Sequence, residues 1–320
     1  MLKEVQDSSM RYNSLIEVYK QGKRNYATMP NLVQMAKELG DSSIYNMIIN
    51  DYVSNYLNKL DDIDLFTKQN LQFVFDNSKI ASTDKIFKLI YRRPIEADRL
   101  VESTNYSQQI IGWVINKEEI IDKLWSNPKS AIPFKKKPDW SSIRSTITNK
   151  YNKRYADSLV LPAQVLFYTV LKDWKSYALC VEKAIKRFSP GSSSSKFSAA
   201  IGGTAIILKD GDAWGLNDSA WKLFEGTNDR VLLNKGLKWS ELSIKIEQPS
   251  SDNYVQFLDT KANLLYKLGR IKEAIVNEQK ALEIENNKAA KKRQFIEVFK
   301  ETLKKMKQDI PSWPTTSNVF

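Results

Sequence analysis

The sequence predicts an all-α fold, an α-α superhelix of irregular helical pairs, on three observations. Apolar residues recur with the 3.6-residue period of a helix face in segment after segment, and strand-like alternation is absent. Glycine (11) and proline (10) are sparse in 320 residues while Lys, Glu, Leu, Ile and Asn abound, a composition that favours helices over glycine-turned strands. The apolar segments are separated by short punctuation, a glycine followed by Asp, Ser, Thr or Asn, which is how one helix stops and the next is capped.

The elements follow in order. Residues 11 to 26 read as a helix stopped at Gly22, with Leu15, Ile16, Val18 and Tyr19 inward. Met29-Pro30-Asn31 starts the next, since proline suits a first turn; Leu32, Val33, Met35, Ala36 and Leu39 carry its stripe as far as Gly40. Asp41-Ser42-Ser43 caps a third with Ile44, Met47, Ile48, Tyr52, Val53 and Tyr56 on one face. Three shorter helices fill 61 to 130, broken at Asn77-Ser78, near Pro94 and at Ser126-Asn127-Pro128. Pro94 opens a helix whose first turn holds Glu96 and Asp98, where negative charge favours the dipole. AIPFKKKPDWSSIRST, from Ala131 to Thr146, reads as a basic, proline-containing connection, and helical pairs return from Tyr151. SPGSSSSKF (189 to 197) reads as a flexible loop and SAAIGGTAIIL (198 to 208) as a small-residue helix. Asn217-Asp218-Ser219 is expected to cap a helix ending at Gly226, and Thr227-Asn228-Asp229 the next, with Val231, Leu232, Leu237, Trp239 and Leu242 inward. A last amphipathic helix rests on Phe295, Val298, Phe299, Leu303 and Met306 before an irregular tail. The organisation expected is thus 1–130 helical pairs, 131–150 connection, 151–310 helical pairs and 311–320 tail, with packing as one continuous domain as the alternative.

One stretch has the spacing of a named repeat. In Leu258 to Leu282, two apolar stripes flank Gly269: Val255, Leu258, Ala262 and Leu265, then Ile271, Ala274, Ile275, Ala281 and Leu282. Leu258, Ala262, Leu265, Tyr266, Gly269, Ala274, Ala281 and Leu282 resemble the tetratricopeptide repeat, while Lys261, Glu278 and Asn286 depart from it. LPAQVLFYTVLKDWKSYALCVEKAIKRF is similar in a degenerate way, with Tyr168, Trp174, Ala184 and Ile185 in corresponding places. The fold class expected is therefore an α-α superhelix of irregular tetratricopeptide-like pairs.

Composition excludes much chemistry. The chain has no histidine and one cysteine, Cys180, which removes Ser-His and Cys-His nucleophile pairs, CxxC redox centres, intramolecular disulfides and cysteine metal clusters. Cys180, between Leu179 and Val181, is expected as a buried helical thiol. Paired carboxylates remain as a route to hydrolysis, but Asp61-Asp62-Asp64 and Glu118-Glu119 fall at helix starts or on polar faces. No catalytic residue, cofactor or metal ligand is assigned. The net charge of +12 concentrates in residues 131 to 200 (13 basic against 4 acidic) and 261 to 320 (13 against 7), so Lys135, Lys136 and Lys137 beside Phe134 and Trp140 form the candidate anion-binding run. A basic protein that binds nucleic acid or another polyanion is the alternative function; solvated lysine faces make it the lesser one. No run approaches the ~18 apolar residues of a membrane span, and MLKEVQDSSM lacks the apolar core of a secretory signal.

LNDSAW, then LKWSELSI, then LDTKANLLYKLGRIKEAIVNEQKAL, preceded at the start by LIEVYKQGKRNYATMPNLVQMAKELGD, resembles the helical region that follows the thioredoxin domain in bacterial secreted thioredoxin-family proteins. The family's CxxC is missing, so no catalytic residue carries over. What the resemblance implies is an accessory helical module, periplasmic or otherwise exported, whose signal and redox domain would lie upstream; a cytoplasmic location is the alternative. The function expected is a non-catalytic module that binds a protein or peptide, presenting Gln256, Asp259, Asn263, Tyr266 and Lys267 from the first helix of the clear pair.

Overall fold

The computed structural model describes residues 2–77, 79–124, 138–187, 213–289 and 292–313. The basic run Lys135 to Lys137, the loop at 189 to 197 and the small-residue helix at 198 to 208 lie outside the described residues. Every regular element among the described ones is helical, so the all-α expectation holds. The chain divides into two compact units, Met1–Pro138 and Asp139–Phe320.

Unit 1 runs α1 (Leu2–Lys20), α2 (Met29–Glu38), α3 (Ser42–Asn55), a 3-10 turn (Leu57–Lys59), α4 (Asp62–Leu65), α5 (Lys68–Asn77), α6 (Lys85–Arg92), α7 (Pro94–Leu100), α8 (Tyr106–Asn116), a π turn (Lys117–Ile121) and α9 (Asp122–Leu124). The punctuation works as anticipated. Pro30 sits in the first turn of α2, and the Asp41 carboxylate accepts from the Ile44 N–H at 3.1 Å to cap α3. Gly40, at φ 71°, takes the left-handed conformation that ends α2, letting the Asp41 N–H reach the Ala36 carbonyl at 2.9 Å. Ile48, Ile49, Leu57, Leu65, Leu71, Ile86 and Ile90 are fully enclosed.

Unit 2 runs α10 (Trp140–Lys150), α11 (Lys153–Val170), α12 (Trp174–Arg187), α13 (Ala213–Gly226), α14 (Arg230–Ile246), α15 (Tyr254–Lys267), α16 (Ile271–Asn287) and α17 (Ile296–Lys307). Adjacent helices along α13 to α17 pack on one another, α12 also reaches α14 and α13 also reaches α15. That is how stacked pairs share one core: neither helix of a pair buries its stripe without the next pair. The core is continuous from Val165 and Tyr177 through Leu223, Phe224 and Leu237 to Leu264, Leu265 and Met306. Small residues set the spacing. A Cβ on Gly236 of α14 would stand 3.3 Å from Leu264, and one on Gly226 only 2.1 Å from the Trp174 ring. Gly226 thus ends α13 where the indole lies on it, without a left-handed φ.

Several expectations are corrected. Residues 140 to 150, read as connection, form α10, capped by Asp139 through the Ser142 N–H at 3.0 Å and packed on α11. Asn217-Asp218-Ser219 is no cap: it lies inside α13, where Asn217 and Ser219 are buried and the Ser219 hydroxyl donates to the Gly215 carbonyl at 2.8 Å. Helical phase places Val18, Met47, Val231, Leu242 and Val298 on the exposed side instead of inward. The last helix begins at Ile296, because the Glu285 carboxylate holds the Gln294 and Phe295 N–H groups at 2.6 and 3.0 Å and turns the chain there.

Candidate functional site

Gln256, Asp259, Asn263, Tyr266 and Lys267 do lie along α15, but they do not form an exposed row. Asn263 is 2% exposed and donates to the Asp259 backbone carbonyl and carboxylate, both at 3.0 Å. Tyr266 is buried, its hydroxyl donating to the Ile310 carbonyl at 3.0 Å. The Lys267 ammonium donates to the Phe224 carbonyl at 2.6 Å and lies 5.4 and 5.2 Å from the Phe224 and Trp313 rings. Burial lowers its pKa to about 8, against the opposing charge of Glu225. Tyr266 and Lys267 therefore fasten the segment after α17 onto the unit. Gln256 and Asp259 are half-buried.

Asp259 has a partner that sequence reasoning did not assign. It faces Glu278 of α16, a side chain with no exposed surface. As two carboxylates the pair would be acceptors only, leaving both Glu278 oxygens without a donor. Burial first, then the charge of Asp259 and its hydrogen bond, raises the Glu278 pKa far above the usual range; burial raises Asp259 as well. A proton held on Glu278 makes one of its oxygens a donor to Asp259 and removes the clash of two negative charges. The signal in the sequence was Glu278 itself, a charged residue on the apolar stripe of Ala274 and Ala281.

Glu285, two turns further along the same buried stripe, has the opposite fate. Burial raises its pKa, yet hydrogen bonds from Lys288 and from the Gln294 and Phe295 N–H groups bring it below the ordinary value. On α16, burial and a facing acid raise the pKa of one carboxyl, while donors lower that of the other.

The remaining candidate acids have structural work. Asp61 caps α4 through the Ile63 and Asp64 N–H groups at 2.9 and 2.8 Å, and Asp62 pairs with Lys85 at 3.0 Å. Glu118 accepts from the Ser82 N–H at 2.7 Å; Glu119, expected on a polar face, is 5% exposed in the π turn and paired with Lys123. Cys180 is buried as expected, 3.9 Å from the Gln164 carboxamide. Burial pushes its thiol up to about 11 despite Lys183, the reverse of a reactive cysteine. Among the described residues no group of three or more Cys, Asp or Glu is placed to hold a metal ion, and no helix is long and apolar enough to cross a membrane. Comparison with protein families, with curated proteins and with solved structures gives no match to this chain.

Proposed function

We propose that the protein is a non-catalytic helical interaction module that holds a protein or peptide partner, with a role beside a thioredoxin-like thiol-disulfide system as the setting its sequence resemblance implies. The observation that carries the reading is the stack α11 to α17, in which successive helix pairs share one core. Such stacks spend their apolar stripes on each other and offer the remaining helix faces to partners. The chemistry of the reactive groups agrees: the lone thiol is buried with a raised pKa, and burial raises the pKa of both members of the Asp259–Glu278 pair. The test is retention of proteins on the immobilised full chain across a salt series, run beside assays of insulin reduction and of glycoside and ester hydrolysis. A discrete protein retained at 0.5 M salt, with no turnover, is the expected result. Retention of nucleic acid alone, lost steeply with salt, would replace the reading by polyanion binding. Turnover that disappears on a single Asp or Glu substitution would replace it by an enzyme.

A further inference from the structure

Unit 1 contains a cleft of ≈570 Å3 between α2 and α5, reached from below by Tyr52 of α3. Its volume lies within the ~300–1,000 Å3 of ordinary ligand sites. Tyr52 is 3% exposed and its ring is packed by Tyr26, Tyr56 and Phe73. Its hydroxyl nevertheless has no hydrogen-bond partner among the described residues, although neighbouring tyrosines on α1 and α3 are all engaged: Tyr12 with Asp41, Tyr19 with Asp51 and Tyr45 with Asn77. Burial lifts the Tyr52 pKa to about 12, so the group at the floor of the cleft is a standing O–H donor.

The walls are carboxamides. Asn31 on α2 and Gln69 on α5 are exposed, and their side chains make no hydrogen bond among the described residues. Gln34 and Gln72 donate their N–H to Glu38 and Asp76 at 2.7 and 2.8 Å, which leaves their carbonyl oxygens as acceptors. A carboxamide carries the same donor and acceptor as a peptide unit, so walls of this kind match a main chain in both senses at once. Charge is balanced: Lys68 is tied to Glu102 at 2.7 Å, and Asp76 is the single carboxylate in the lining among the described residues. The cleft thus has no net charge with which to hold a polyanion. A sugar is also poorly served, because the two rings present, Tyr52 and Phe73, are buried against each other at 4.7 Å and offer no free face for stacking. Both walls are ten-residue helices, about 15 Å long, which spans four to five residues of extended chain at roughly 3.3 Å each.

We propose that this cleft binds an uncharged, extended peptide segment of about four residues, its main chain held between Asn31 and Gln69 and one of its carbonyls accepting from the Tyr52 hydroxyl. The proposal rests on the interaction-module reading only in taking the partner to be a polypeptide. The experiment is selection of peptides from a random display library on the full chain, followed by fluorescence-polarisation titration of the enriched peptide. Tyr52→Phe removes the hydroxyl and keeps the ring; since the hydroxyl bonds nothing among the described residues, the variant should melt no lower than the parent. An enriched uncharged motif, weakened about tenfold by Tyr52→Phe, as one hydrogen bond of ~1.4 kcal/mol requires, and further by Asn31→Ala with Gln69→Ala, is the expected result. Four results overturn the proposal: no enrichment, an acidic motif that salt dissociates, peptides indifferent to all three substitutions, or glycan-array binding that Tyr52→Phe abolishes. Peptides indifferent to the substitutions leave the interaction module standing and remove the cleft from it.

Discussion

At the scale of single residues, α16 shows how the same side chain acquires opposite charge states from its neighbours. Glu278 and Glu285 share a buried stripe, but Glu278 meets Asp259 while Glu285 meets Lys288 and two backbone N–H groups. For Glu278 the folded pKa lies above its ordinary value of 4.5, so the native state binds the extra proton. Its contribution to stability is complete below about 4.5 and declines as the pH rises, by up to about 1.4 kcal/mol per pH unit. Unfolding followed from pH 4.5 to 7.5 avoids the Lys267 transition near 8. Glu278→Gln, neutral at every pH and still able to donate to Asp259, should shed the Glu278 share of this decline, keep the share from Asp259, whose pKa burial raises to about 7, and be the more stable protein at pH 7.5. A stability difference between parent and variant that stays constant with pH would contradict the shared proton. Sequence reading noticed Glu278 as a departure from the repeat, yet took Asp259 for a surface residue. Helical phase tells which side of its own helix a residue occupies; it does not tell which acid on the next helix stands opposite.

Lys172 carries a second residue-scale prediction. It occupies φ 55° after α11, with its N–H on the Thr169 carbonyl and the Asp173 N–H on the Tyr168 carbonyl. Gly269 does the same after α15 at φ 82°. A Cβ in this region costs about 1–2 kcal/mol, offset in part by the smaller unfolded-state entropy of lysine. Lys172→Gly should therefore raise stability by about 0.5–1 kcal/mol in urea titration, and a loss would show that the lysine side chain has an anchoring role there.

At the scale of elements, starts and stops were the most legible part, because the signals are local: Asp41 and Asp229 each accept from the N–H groups of the turn they precede. Where the local signal failed, packing had overridden it. Asn217-Asp218-Ser219 reads as a cap, but Ala213, Gly215 and Leu216 ahead of it are buried and extend the helix by a turn, and Ser219 bonds back along it instead of forward. α11 also overrides a local signal, since it continues through Pro162. An interior proline removes one ladder hydrogen bond and crowds the preceding carbonyl, at about 3 kcal/mol. Pro162→Ala should restore that bond and stabilise the protein by roughly 1–3 kcal/mol, since proline also stiffens the unfolded chain and returns part of the gain. An unchanged or lower melting temperature would mean that α11 is bent to fit its neighbours and that straightening it disturbs them.

At the scale of the whole molecule, the chain divides after Pro138 into two compact units, and the sequence reads residues 131 to 150 as a basic connection. It assigned too much to that segment: Trp140, read as an aromatic beside the lysine run, starts α10 and packs its ring edge-on to Phe167 of α11 at 5.6 Å. Ile147 is fully buried, so α10 closes the end of the unit 2 stack in the way a terminal helix must if the next pair is missing. A chain of residues 139–320 should consequently fold alone, with helical circular dichroism, a single cooperative urea transition and a near-ultraviolet signal from Trp174 held against Gly226. Removing α10 by starting at Lys153 should expose the Phe167 side of α11 and lower the transition midpoint or abolish cooperativity. Equal stability of the two fragments would assign the capping role elsewhere, and an unfolded 139–320 chain would show that the core of unit 2 is not sufficient by itself.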